Sequence, residues 1–138
     1  MARVESRGRA RALQALYAWD LRANEDLLHV AALIWDDLVV ATDERDFAMT
    51  LLRVVASDGA ALDAELTEVT TNWRLERIGA IERCVLRLGA AELQIGVTPP
   101  RVVLQEAVRL AERFGSEQSS RFVNGVLDAL ARRMGRLK

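Results

Sequence analysis

Proline occurs in this chain only as the adjacent pair Pro99-Pro100, so the rest of the backbone is free to be helical. Proline inside a helix removes an N–H donor and crowds the preceding turn, and no other position carries that restriction. Nor does any stretch alternate apolar and polar residues between turn signals, the pattern a half-buried strand requires. Leu, Ala, Arg and Glu, all good helix formers, dominate the composition. The expectation is an all-α fold.

Apolar spacing and terminal residues divide the chain into about seven predicted helices, near 4–23, 26–40, 43–57, 60–71, 75–95, 99–114 and 117–134. Thr42 or Asp43 is the expected N-cap of the third, and Gly59 its stop. Gly96 closes the fifth. Thr98 is the expected cap of the sixth, with Pro99 at its first position and Gly115 after its end. Ser116 is the expected cap of the seventh. The fifth helix is apolar on nearly every side, and its trio Gly89-Ala90-Ala91 invites close approach by a neighbour. At 138 residues the chain is expected to form a single domain, residues 1–138, with the first three helices in about 1–58 and the remaining four in about 60–138.

Most catalytic chemistry lacks its parts. His29 and Cys84 are each the only residue of their type, so neither a zinc site, nor a histidine-based triad, nor an intrachain disulfide can be assembled. A phosphate-binding glycine loop is also missing. Cys84 reads as a small buried residue and Asp36-Asp37 as a solvated face. The expectation is a protein that is not an enzyme and takes no cofactor. The N-terminal arginines lack the apolar stretch of a secretory signal, and no apolar run is long enough to span a bilayer. A cytoplasmic protein with no membrane association is expected.

The net charge is −1, but it is unevenly placed. Residues 1–19 carry four Arg against one Glu, residues 20–70 three Arg against twelve acids, and residues 71–138 eleven Arg and Lys138 against seven acids. Basic ends flanking an acidic middle suit a polyanion at one surface. Arg3, Arg7, Arg11 and Gln14 share one narrow helical face, beside an apolar face of Leu13, Leu16, Tyr17 and Leu21. Such an arginine row neutralises phosphates, whereas Arg9, at the edge of the apolar face, can also pair with an acid inside the fold. The segment from Ser116 to Phe122 starts a helix, whose free N–H groups attract phosphate. Ser119, Ser120 and Arg121 add donors there, and Phe122 has a ring on which an unpaired base can stack. Packing and capping explain those residues equally well. Asn124 and Gly125 are unfavourable inside a helix, which close packing or a partner would explain. Glu76, Arg77, Glu82, Arg83 and Arg87 must pair internally or meet a partner, and Glu106 is a candidate mate for Arg87.

The residues now resemble a family. Arg9-Ala10-Arg11-Ala12-Leu13-Gln14-Ala15-Leu16-Tyr17-Ala18-Trp19 is similar to the arginine-rich opening of NusB proteins, and Glu82-Arg83-Cys84-Val85-Leu86-Arg87-Leu88 to their central helix. Val103-Leu104-Gln105-Glu106-Ala107-Val108, Phe114-Gly115 and Arg121-Phe122-Val123-Asn124-Gly125-Val126-Leu127-Asp128 resemble their C-terminal signature. The likeness covers nearly the whole chain and is weakest between residues 24 and 72. It implies two packed helical bundles and a transcription antitermination factor that binds boxA-type single-stranded RNA of rRNA operon leaders with NusE, a small-subunit ribosomal protein, in an RNA polymerase complex. By that likeness Arg3, Arg7, Arg9, Arg11, Gln14, Tyr17, Ser119, Ser120, Arg121 and Phe122 contact RNA, while Glu76, Arg77, Glu82 and Arg83 face NusE. The sequence departs from the pattern at Gln118, where the family often has an acid, and at Glu5, Ser6 and Gly8, which interrupt the arginine run. A detached RNA-binding domain of an rRNA cytosine methyltransferase and a protein-interaction module without RNA contact are the other readings. A homodimer stays open.

Overall fold

The computed structural model describes residues 3–22, 25–70 and 78–138. Among them are six helices and no strand: α1 (Val4–Asp20), α2 (Leu27–Leu38), α3 (Thr42–Val69), α4 (Ala80–Ile95), α5 (Pro100–Phe114) and α6 (Glu117–Arg133). The all-α expectation holds, with one correction to the helix map. The stretches expected at 43–57 and 60–71 are one continuous helix, α3. Gly59 does not stop it, because a glycine ends a helix only when the chain turns there, and here the apolar stripe Leu51, Leu52, Val55, Leu62 and Leu66 continues into the core on both sides. Tertiary burial outweighs the roughly 1 kcal/mol that glycine costs in a helix interior. The expected start of the fifth predicted helix, 75–77, lies outside the described residues.

Two caps also differ. Ala41, not Thr42 or Asp43, caps α3, while the Asp43 carboxylate accepts the Glu44 N–H at 2.8 Å inside the first turn. Pro99 is the cap of α5 and Pro100 its first residue. Ser116 caps α6 as expected, accepting the Ser119 N–H at 3.1 Å. Gly96 ends α4 with φ +76°, a left-handed conformation suited to glycine.

Helices α1, α2 and α3 pack on one another, as do α4, α5 and α6, and α4 also lies against α1 and α3. This is why α4 reads apolar on nearly every side. A Cβ on Gly89 would come within 2.6 Å of the Leu127 side chain, so glycine is what lets α6 approach α4. Gly8 plays the same part for α1 and α3: a Cβ there would sit 2.8 Å from the Phe47 ring and 3.1 Å from the Glu44 carbonyl. One contiguous apolar core draws on all six helices, with Trp35 fully buried and its indole N–H donating to the Arg11 carbonyl at 3.2 Å. None of the described helices is long and apolar enough to cross a membrane.

Candidate nucleic-acid interface

The outer face of α1 presents Arg3, Gln14 and Tyr17 to solvent, with Arg7 and Arg11 half-buried among them. Leu13 and Leu16 are buried as their spacing requires, but Tyr17 is 37% exposed and Leu21 is exposed too, so the apolar face is narrower than expected. The helix therefore docks through its middle, from Gly8 to Leu16, and leaves an aromatic ring at the end of the arginine row. Two of those arginines converge on one acid. Arg7 Nε lies 2.8 Å and Arg11 Nε 3.7 Å from the Glu44 carboxylate on α3, while Arg11 also donates to the Gln14 side-chain Oε1 at 3.2 Å. Two guanidinium groups against one carboxylate leave a net positive charge held in a fixed place.

Arg9 lies elsewhere. Its side chain is only 7% exposed and makes two hydrogen bonds to the Glu92 carboxylate of α4, at 2.8 and 2.6 Å. Glu106 of α5 approaches the same guanidinium at 3.6 Å and accepts from the Ser6 hydroxyl at 2.7 Å, and the Phe47 ring lies under it at 5.1 Å. Burial alone would lower the Arg9 pKa, but the hydrogen bond and charge of Glu92, aided by Glu106, raise it. Arg9 is thus a core clasp joining α1, α4 and α5, which removes it from the surface expected to meet RNA.

The start of α6 is similarly divided. Ser119 and Ser120 are buried: the Ser119 hydroxyl donates to the Glu82 carboxylate, and the Ser120 hydroxyl to the Glu117 carbonyl at 2.7 Å. Arg121 is exposed and pairs with Glu117 one turn back at 2.8 Å. Phe122 packs partly on the core and edges a cleft of about 300 Å³ with Ile78, Gly79, Glu82 and Gln118. The serines set the helix start, and Arg121 and Phe122 remain reachable. Asn124 and Gly125 are exposed, and a Cβ on Gly125 would meet nothing within 4 Å. Close packing therefore does not account for that glycine.

Of the residues expected to face a protein partner, Glu76 and Arg77 lie outside the described residues. Glu82 holds Ser119, as above. Arg83 is turned inward: it binds Asp20 of α1, with Nε at 3.3 Å from one carboxylate oxygen and Nη2 at 2.5 Å from the other, and donates to the Ile78 carbonyl at 2.8 Å. Arg87 pairs with Asp63, through two contacts of 3.0 Å, and with Asp20 at 3.1 Å. The pairing of Arg87 with Glu106 is therefore corrected, because Arg87 meets Asp63 of α3 and Asp20 of α1 while Glu106 is taken up by Arg9 and Ser6. Burial pushes the Asp20 carboxyl upward, but Arg83 and then Arg87 more than reverse it and hold it below the usual carboxylate range. Cys84 beside this network is fully buried, and burial with the nearby Asp20 charge pushes its thiol up to about 12. Asp36, expected to be solvated, is exposed but pairs with Arg45 at 2.5 Å.

One positive surface was not legible as such. Between α1 and α5 runs a groove of about 580 Å³ whose walls carry Arg3, Arg7, Arg109 and Arg113. Its signal in the sequence is the spacing Val102, Gln105, Glu106, Arg109, Leu110, Arg113, one face of a helix. That face becomes meaningful only once α1 lies across it.

Among the described residues no cluster of His, Cys, Asp and Glu could hold a metal. Fold and surface define a helical binding module whose fixed cations and exposed aromatic edge lie along one helix and at the start of another. The chain belongs to the NusB family, whose model matches residues 6–132. It is 44% identical to the transcription antitermination protein NusB of Sorangium cellulosum (strain So ce56) over 135 residues, 97% of this chain and 96% of that one. It is 40% identical to the protein of that name from Solibacter usitatus (strain Ellin6076), over 93% of this chain and 88% of the relative. Among solved structures, T. maritima NusB superposes with a TM-score of 0.87 at 30% identity, covering 96% of this chain and 93% of that one. A crystal structure of antitermination factors NusB and NusE in complex with dsRNA matches with a TM-score of 0.87 at 27% identity, over 96% and 99% of the two chains.

Proposed function

We propose that this chain is an RNA-binding transcription antitermination factor that binds boxA-type single-stranded RNA of rRNA operon leaders together with NusE. The observation that carries the reading is the arginine row of α1: Arg3, Arg7 and Arg11, followed along the helix by Gln14 and the exposed Tyr17. Cations fixed beside a ring match what an unpaired strand offers, a row of phosphates and a base face. Arg121 and Phe122 supply the same pair of chemistries at the start of α6. Relatives matching over nearly their whole length carry the antitermination name, which favours this reading over a methyltransferase domain. The NusB–NusE–dsRNA structure supports NusE and an RNA as partners, and the exposed Tyr17 ring of α1, with the partly buried Phe122 ring of α6, favours a single strand. The protein acts without catalysis of its own, in the cytoplasm, within an RNA polymerase complex.

Binding of a labelled boxA-like RNA to an Arg7→Ala/Arg11→Ala variant tests the row. Each lost phosphate contact lowers the slope of log affinity against log salt by about 0.7 for a single strand. An unchanged slope and affinity would remove the row from the RNA site. The competing reading, a protein-binding module, draws on one observation: Glu44 already offsets part of the charge of Arg7 and Arg11. It predicts that unchanged result.

A further inference from the structure

The groove between α1 and α5 lies next to the proposed RNA face and shares Arg3 and Arg7 with it. Its far wall is α5, where Arg109 and Arg113 stand one turn apart, about 6 Å along the axis. The Arg109 side chain is 67% exposed, and among the described residues it pairs with Glu106, at 4.0 Å. Glu106 is already committed to the buried Arg9 guanidinium and the Ser6 hydroxyl, so it neutralises Arg109 only in part. Arg113 lies over the Phe114 ring at 4.8 Å from its centroid. That contact steadies the guanidinium plane and leaves its charge intact. Among the described lining residues Glu106 is the one acid, against Arg3, Arg109, Arg113 and an Arg7 that also pairs with Glu44, and Val102 and Leu110 add apolar surface.

We propose that this groove is a second phosphate track, in which Arg109 and Arg113 of α5, facing Arg3 of α1, hold the backbone of single-stranded RNA that extends beyond the segment bound by α1 and the α6 start. The inference rests on the RNA reading above and extends it to a surface which that reading leaves unused. Two features favour a nucleic-acid strand as occupant. The cations are arginines set in line along the groove, able to meet successive phosphates with paired N–H donors. The groove is also continuous, through Arg3 and Arg7, with the face that takes the rest of the strand. Apolar surface beside the cations lets ribose and base edges rest between the phosphate contacts.

The test uses the full chain with NusE and two labelled RNAs, a boxA-like oligonucleotide and the same sequence extended by several nucleotides at both ends, titrated at two salt concentrations. The wild-type chain is expected to bind the extended RNA more tightly and with a steeper salt slope. An Arg109→Ala/Arg113→Ala variant should bind the short RNA as wild type does, and should lose about 1.4 from the slope for the extended one, roughly 0.7 for each of two phosphates. Arg109→Glu/Arg113→Glu should bind the extended RNA less well than the short one. Equal binding of both RNAs by wild type and variants would overturn the proposal while leaving the α1 site intact. If the wild-type chain binds neither RNA, the RNA reading itself fails. Loss of binding to polyglutamate by the double alanine variant, with RNA binding unchanged, would overturn the proposal by assigning the groove to an acidic protein segment. Both arginines are exposed, so matching thermal melts will show that the variants fold.

Discussion

Replacing Arg9 with Met separates a core clasp from an RNA contact. The substitution keeps most of the aliphatic stem but removes both hydrogen bonds to Glu92, whose side chain is 5% exposed. The carboxyl left behind must stay charged in the core or take up a proton. A glutamate in an unfolded chain titrates near about 4.3, so forcing one neutral at pH 7 costs about 3.7 kcal/mol. That falls within the roughly 3–5 kcal/mol expected when one partner of a buried pair is removed. At pH 5 the protonation cost is only about 1 kcal/mol, so most of the damage should disappear there. Urea unfolding at the two pH values measures this directly. Adding Glu92→Leu removes the stranded carboxyl, and the Arg9→Met/Glu92→Leu protein should regain most of the lost stability at pH 7. Glu106 keeps Ser6 and Arg109 as neighbours in that double variant. Once stability is restored, RNA affinity should match wild type. A loss below about 1 kcal/mol at pH 7, or an equal loss at both pH values, would refute the energetic argument. A stable double variant with impaired RNA binding would refute the placement of Arg9.

Three further outcomes follow from local geometry. Gly59→Ala and Gly125→Ala, both helical with nothing within 4 Å of the added Cβ, should each raise unfolding free energy by up to about 1 kcal/mol. A destabilised Gly59→Ala would contradict the continuous α3. Val39 holds φ +54° at the end of α2 and is 86% exposed, so Val39→Gly should relieve left-handed strain and gain about 0.5–1 kcal/mol; a lower melting temperature would count against that strain. Because Arg83 and Arg87 hold the Asp20 carboxyl below its ordinary range, the unfolded chain takes up a proton there first as pH falls. Asp20 thus contributes stability that is present above about pH 4 and lost on further acidification. Asp20→Asn should be less stable at neutral pH and show a shallower acid slope, and an unchanged slope would exclude Asp20 as a source of it.

The helices were largely legible because burial on a helix leaves a periodic trace. The stripes through Val85 and Leu88, through Val103, Ala107 and Leu110, and through Val123, Val126 and Leu130 all lie in the core. Gly59 misled because a glycine's meaning depends on whether the chain turns at it, which the packing of Leu62 and Leu66 decides. The site was legible only in part, for a related reason. Two positions along a helix rotate a side chain to another face, which set Arg9 apart from Arg7 and Arg11 at the edge of the apolar face and allowed it an acid inside the fold. Arg9 therefore enters the core while its neighbours do not. Its partners Glu92 and Glu106 lie on other helices, at separations that local spacing cannot connect. The α5 arginines escaped notice for the converse reason. Their face is an ordinary polar stripe until α1 crosses it.

The central claim is tested most directly by a fluorescence-anisotropy titration of a labelled boxA-like RNA at two salt concentrations, with and without NusE. The account predicts binding that weakens with salt and strengthens when NusE is added. No RNA binding under any of these conditions would contradict it, leaving the family and fold in place and the arginine row of α1 without its ligand.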